Sequence, residues 1–271
     1  MDNKMDDKKN DETLVSEKIV LNKYIAHAGI CSRRKAVELI QEGQIKVNGV
    51  VVTEPGYLVN PKDFVKLRNK GIRPEKKLYL LLNKPVDYVT SVADELGRKI
   101  VTDLVRGAGK VRWYPVGRLD KDSSGLLLMT NDGEFTQKLA HPKNKVQKIY
   151  QVVLDRQIPL VDLKKLKTGI TLRDGRARFD TVAFGPSKRG NVVKVSLHSG
   201  KNRIIRRMFE HIGYQVTQLD RVQYANLTKK GLLPGRWRLL TDQEVAMLYT
   251  ATTDDGTNIH NPLTDAKRTL F

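Results

Sequence analysis

The feature that most constrains this chain is a break in its apolar periodicity at residues 68–77. Arg68-Asn69-Lys70-Gly71-Ile72-Arg73-Pro74-Glu75-Lys76-Lys77 is charged, carries Gly and Pro, and follows neither a helical nor a strand period, so it reads as a linker. A chain of 271 residues has room for two domains of ordinary size. The break therefore divides it into a small part, 18–67, and a larger one, 78–250.

The small part changes period within its own length. Leu21, Tyr24, Ile25 and Ala28 recur at helical spacing and Gly29 closes that helix; Ser32 can cap a second one carrying Val37, Leu39 and Ile40, which Gly43 stops. Ile45-Lys46-Val47 and Val50-Val51-Val52 then flank Asn48-Gly49, a hairpin signal because both turn residues must take positive φ.

In the large part, strand candidates at 79–82, 126–129, 149–154, 178–184 and 192–197 mix irregularly with helices. One helix presents Ile205, Met208, Phe209 and Ile212 before Gly213, and another opens on a capping box of Thr241 and Glu244. Lacking strict strand-helix alternation, this part is expected to be α+β with a mixed, largely antiparallel sheet. Residues 1–17 and 251–271 are polar and are expected to be disordered tails.

Forty-nine Lys and Arg against thirty Asp and Glu give a formal charge of +19, which favours a polyanionic partner through counterion release. Residues 18–77 alone hold thirteen Lys and Arg against five Asp and Glu. The apolar run 78–82 is far short of the roughly 20 residues a membrane span needs, so nucleic acid is the expected partner and membrane is not. The N-terminus lacks the apolar stretch of a secretory signal, which points to the cytoplasm. Cys31 is the single cysteine; it cannot form an internal disulfide or build a zinc site by itself, and reads as a small buried residue.

Ser32-Arg33-Arg34-Lys35 opens the second helix of the small part. Cations in a first turn oppose the helix dipole, so a solvated charge run is the plain reading. Against it, a helix N-terminus already offers free N–H groups, and three added cations make it fit for phosphate. The helix pair, the Gly29-Ile30-Cys31-Ser32-Arg33-Arg34 turn and the Ile45-Lys46-Val47-Asn48-Gly49 hairpin resemble the S4 RNA-binding domain over about 18–67. The resemblance implies an RNA face that includes Ser32, Arg33, Arg34, Lys35, Lys46 and Asn48.

Gly117-Arg118-Leu119-Asp120-Lys121-Asp122-Ser123-Ser124-Gly125-Leu126-Leu127-Leu128 places an acidic loop residue beside Arg118, then a tight glycine and a buried-looking strand. Most loop aspartates cap helices or turns, and spacing alone gives Asp120 only a modest functional claim. The segment, however, closely resembles the catalytic motif of pseudouridine synthases of the RsuA and RluA superfamily, whose Gly-Arg-Leu-Asp aspartate is indispensable. Lys148-Ile149-Tyr150 resembles the family motif that presents a tyrosine to the target base. Gly200-Lys201-Asn202-Arg203-Ile204-Ile205-Arg206-Arg207-Met208 resembles the one that supplies a basic partner for the aspartate, a role that falls on Arg206.

By themselves Tyr150 could be a core aromatic and the arginines a solvated face shared by Arg203 and Arg207; three motifs in order favour function. Arg118, Lys201, Arg203 and Arg207 are then expected on RNA. Asn83-Lys84-Pro85, Thr90 and Gly97-Arg98 resemble the opening motif of the RsuA branch, with Val86-Asp87 where a glycine often follows the proline. The family resemblance spans about 78–248.

It implies an isomerisation that needs no cofactor and no metal: the bond from uracil N1 to ribose C1′ breaks, the base turns, and it rejoins through C5. The uridine must first leave its stack, at a cost of a few kcal/mol. Asp120 would act as nucleophile or as the base that starts elimination, with Arg206 aiming it and Tyr150 stacking on the base and handling a proton. The S4-like part would add phosphate contacts that position RNA without reading bases. Arg112-Trp113, together with Gly-Lys-Asn-Arg followed by Arg-Arg-Met, looks closest to RluB-type enzymes of large-subunit ribosomal RNA. A small-subunit target is the next choice, and a noncatalytic RNA-binding ribosome-assembly factor is the rival from another class. A monomer is the default.

Overall fold

The computed structural model describes residues 18–251, and both expected tails, 1–17 and all of 251–271 but its first residue, lie outside the described residues. The chain divides into two compact units between Lys76 and Lys77.

In the first unit the helices Leu21–His27 and Arg33–Gln41 form where the apolar spacing places them. Leu21, Ile25, Ala36 and Ile40 are fully buried and pack with Ile45 and Val65. The Ser32 hydroxyl accepts from the Lys35 amide at 3.2 Å, satisfying a donor the helix leaves free. An antiparallel sheet runs in the order Val50–Val51, Ile45–Val47, Val65–Leu67, Lys70–Ile72. Asn48 at φ +51 and Gly49 at φ +89 make the expected turn.

The last of these strands corrects the linker expected at 68–77. Arg68 and Asn69, at φ +44 and +68, form a second hairpin turn, and Ile72 lies opposite Val65. A three-residue edge strand turns only Ile72 into the core, and one inward side chain is too few to show a period. What is left of the expected linker is 73–77, across the boundary between Lys76 and Lys77.

The second unit is built on a nine-stranded sheet. Its path is Thr181–Phe184, Val192–Leu197, Lys148–Leu154, Val216–Tyr224, Ser124–Thr130, Tyr79–Lys84, Trp237–Leu239. These pairs are antiparallel except one: Val216–Tyr224 runs parallel to Ser124–Thr130, with Asp220 opposite Ser124 and Arg221 opposite Gly125. The sheet is thus mixed and largely antiparallel, as expected. The strand expected from 178 begins only at Thr181.

Both faces of the sheet centre are covered, which explains why Leu80-Leu81-Leu82 does not alternate with polar residues. Leu80, Leu82, Leu127 and Met129 join Val101, Val105 and Trp113 on one side. Leu81, Leu126 and Leu128 join Phe135, Leu139 and Leu248 on the other. Each such side chain contributes roughly 1.5–3 kcal/mol on burial. The helix Ile204–His211 lays Ile205, Met208 and Phe209 against Val152, Val193 and Val195. Among the described residues, no helix is long and apolar enough to cross a membrane.

Candidate active site

Asp120 sits on the loop that enters the strand Ser124–Thr130, and the loop is gripped on either side of it. The buried Thr90 hydroxyl donates to the Leu119 carbonyl at 2.6 Å and accepts from the Leu119 amide at 3.2 Å. Beyond Asp120, the fully buried Lys84 ammonium donates to the carbonyls of Ser123 at 2.6 Å and Pro85 at 2.9 Å. Burial pushes that ammonium down to about 8, although the Asp122 and Asp120 carboxylates pull the other way. Asp87, standing where the family resemblance leads one to expect glycine, takes φ +67 and donates its amide to the Lys121 carbonyl at 2.8 Å. Aspartate tolerates this left-handed conformation better than most side chains, so the chain can turn here without a glycine.

Gly125 is required where the parallel strands meet. It lies at φ +106, and a Cβ there would fall 2.3 Å from the Arg221 carbonyl oxygen and 2.5 Å from the Arg221 nitrogen. Those are backbone atoms with nowhere to move.

The loop faces a cleft of about 280 Å³ whose lining includes Asp120, Lys148, Tyr150, Arg203, Arg221 and Tyr224. Arg118 and Lys201 are exposed at its wall. Arg203, at φ +45 just before the helix Ile204–His211, reaches back to the loop. Its Nη1 lies 3.4 Å from Asp120 Oδ2 and 3.3 Å from Asp122 Oδ1.

The partner expected for Asp120 was Arg206, and here the structure differs. Arg206 is buried: it donates to the Asp122 carbonyl at 3.0 Å and to the Val216 carbonyl at 2.8 Å, and forms an ion pair with the Asp122 carboxylate, Nη2 to Oδ2 at 3.0 Å. Standing inside the helix on its buried side, it reaches the loop two residues past Asp120; Arg203, held left-handed outside the helix, reaches Asp120 itself. Burial would raise the Asp122 carboxyl, but the Arg203 hydrogen bond and the charges of Arg206 and Arg203 hold it below the usual range. Nor do Arg203 and Arg207 share a face: Arg207 clasps Asp174 at 2.8 and 3.1 Å, and Lys201 donates to the Asp174 carbonyl at 2.8 Å.

Tyr150 packs at the edge of two apolar clusters, and its hydroxyl accepts from Arg221 Nη1 at 3.4 Å. Burial, with the Arg221 charge beside it, pushes the Lys148 ammonium down to about 8. The Tyr224 hydroxyl is pushed up to about 12 by burial. Sequence reasoning missed Arg221 and Ser123. Arg221 is 3% exposed, and its Nε donates to the Leu126 carbonyl at 2.6 Å. Its Nη2 and the buried Ser123 Oγ have no hydrogen-bond partner among the described residues. The available signal was Arg221 at two-residue spacing from Leu219, on the inward side of a strand that was not anticipated.

In the first unit the expected RNA residues divide. Arg33 and Arg34 are exposed and have no ion-pair partner among the described residues. Lys35 pairs with Glu38 at 2.6 Å, Ser32 is occupied as a helix cap, and Lys46 is half-buried. Asn48 is spent internally: its side chain accepts from the Phe64 amide and donates to Asp63, both at 2.9 Å. Cys31 is partly exposed rather than buried, resting against the unit's core. Among the described residues, no group of three or more His, Cys, Asp or Glu could hold a metal ion.

The sequence matches the RNA pseudouridylate synthase family over residues 78–211 and the S4 domain over residues 21–65. It is 44% identical over 241 residues to the ribosomal large subunit pseudouridine synthase B of Bacillus subtilis (strain 168), covering 88% of this chain and 98% of that protein. It is 36% identical over 239 residues to the dual-specificity RNA pseudouridine synthase RluF of Escherichia coli (strain K12), covering 87% of this chain and 80% of that protein. Among solved structures, a crystal structure of pseudouridylate synthase matches with a TM-score of 0.59 at 26% identity, covering 86% of this chain and 100% of that one.

Proposed function

The chain belongs to the RNA pseudouridylate synthase family and carries an S4 domain, and from that premise we propose that it converts one uridine of large-subunit ribosomal RNA to pseudouridine, with Asp120 as the catalytic residue. The observation that carries this reading is the Asp120 carboxylate, half-open to a cleft it shares with Tyr150 and aimed by Arg203 at 3.4 Å. Asp120 acts on the flipped nucleotide, Tyr150 stacks on its base, and Arg206 acts through Asp122 to keep the loop in place. Arg118 and Lys201 at the wall, with Arg33 and Arg34 in the first unit, are suited to phosphates.

Large-subunit RNA is favoured because the Bacillus subtilis relative bears that name at 44% identity. The cytoplasmic setting follows from that substrate. A monomer is the default state for such a chain. A noncatalytic factor would gain nothing from a carboxylate that repels phosphate in its RNA-facing cleft.

The test is a map of ribosomal pseudouridines by carbodiimide labelling and primer extension in cells lacking the gene, complemented with wild type or Asp120→Asn. One large-subunit site should vanish, return with wild type, and stay absent with the variant, which should still bind RNA. Loss in the small subunit would move the target, and no loss anywhere would put the noncatalytic factor ahead. Modification by the variant would overturn the assignment of Asp120.

A further inference from the structure

Arg221 has no part in the motifs that identified the site, yet it is the most deeply buried cation facing the cleft. It is 3% exposed. Its Nε is fixed on the Leu126 carbonyl at 2.6 Å, and its guanidinium carbon stands 5.1 Å from the centre of the Tyr224 ring and 6.0 Å from that of Tyr150. No carboxylate pairs with it among the described residues, and Nη2 is left without an acceptor. Leaving a buried donor unpaired is costly, and that cost is recovered when a ligand supplies the acceptor. The two aromatic faces and the strand pairing at Gly125 keep the guanidinium from turning away to find one in solvent.

The ligand's chemistry follows from the proposed reaction, on which this inference rests. When the N1–C1′ bond breaks, its electron pair stays with the base, and the charge spreads over N1, O2 and O4. C5 then bonds to C1′, the C5 proton leaves, and N1 takes up a proton, so the product is an isomer of the substrate. Between these steps the base is an anion with exposed carbonyl oxygens. We propose that Arg221 binds a uracil carbonyl oxygen through Nη2 and stabilises the negative charge that appears on the base as it departs. It is then a catalytic residue in its own right: a fixed cation in a water-poor site acts most strongly where charge develops.

Single-turnover cleavage by wild type, Arg221→Met and Arg221→Lys is measured on two transcripts of large-subunit ribosomal RNA, one made with uridine and one with 5-fluorouridine. Nuclease digestion and mass spectrometry follow loss of the original nucleoside. The fluorine withdraws electrons, so the base departs with less help. Arg221→Met should slow the uridine transcript by roughly 100-fold, the scale of removing one charge-stabilising donor, while the 5-fluorouridine transcript loses far less and RNA affinity hardly changes. Arg221→Lys, which keeps the charge, should fall between Met and wild type and serves if the Met variant does not fold. Equal losses on both transcripts, or a Lys variant no better than Met, would reduce Arg221 to a structural residue and overturn the proposal. Wild type that modifies neither transcript, and no site in cells, would instead sink the proposed function.

Discussion

Arg33 and Arg34 stand exposed at the head of a helix in the first unit, with no carboxylate among the described residues to hold them, whereas Arg203, Arg206 and Arg207 gather at the head of a helix in the second, each seated on a named acceptor. Both clusters look alike in sequence, as runs of cations at a helix start. Attraction to phosphate acts over several ångströms and is served by flexible side chains, so loose cations suffice for holding RNA. Aiming one carboxylate requires a cation that cannot wander, and each seat on Asp120, Asp122 or Asp174 restricts that freedom.

The sharpest way to break this comparison is Arg203→Met. If the seated cation aims Asp120, kcat should fall about 100-fold, on the scale of one oriented electrostatic contact, with RNA affinity within about twofold. A variant that loses affinity and keeps kcat would make Arg203 another loose phosphate contact.

A smaller effect tests a seated pair away from the cleft. Burial would raise the Asp132 carboxyl, but the Phe135 amide, the Lys77 ammonium and the Tyr79 hydroxyl more than offset it and hold it below the usual range. Its folded pKa is thus lower than its unfolded one, near 3.9. The stability it contributes is present above that value and lost as pH falls through the folded pKa. Asp132→Asn should cost about 1–3 kcal/mol at pH 7 in urea unfolding and flatten the acid limb of stability. An unchanged acid limb would count against the seated pair.

The loose cluster should behave additively. Arg33→Ala with Arg34→Ala is expected to weaken RNA binding roughly tenfold near physiological salt. It should reduce the slope of log K against log salt by about 1.5 to 2 and leave kcat alone. The smallest effect sharpens the correction at Asn48. Asn48→Ala should cost the first unit about 1 kcal/mol, through its left-handed φ and its bonds to Phe64 and Asp63, with RNA affinity unchanged at temperatures where the unit is folded.

What was legible in the sequence had local causes. The helices Leu21–His27 and Arg33–Gln41 write their apolar faces at short spacing, and Asn48-Gly49 announces its own turn. Asp120 and Tyr150 were found through motifs, and both line one cleft. Lys70–Ile72 was missed because an edge strand buries one side chain. The family motif put the partner role on Arg206, and nothing in the sequence tells that Arg203, just before the helix, turns left-handed and reaches back. Arg221 was invisible because its environment is made by a strand partner 95 residues earlier in the chain.

That one parallel pairing also orders events in time. Asp120 leaves the ribosome roughly a hundred residues before Arg221, a delay of about 5–20 s at ordinary synthesis rates. During it the chain is long enough to complete its first unit but lacks the strand Val216–Tyr224 that closes the cleft. A nascent chain therefore carries its whole S4 domain well before the strand that completes its cleft has been made.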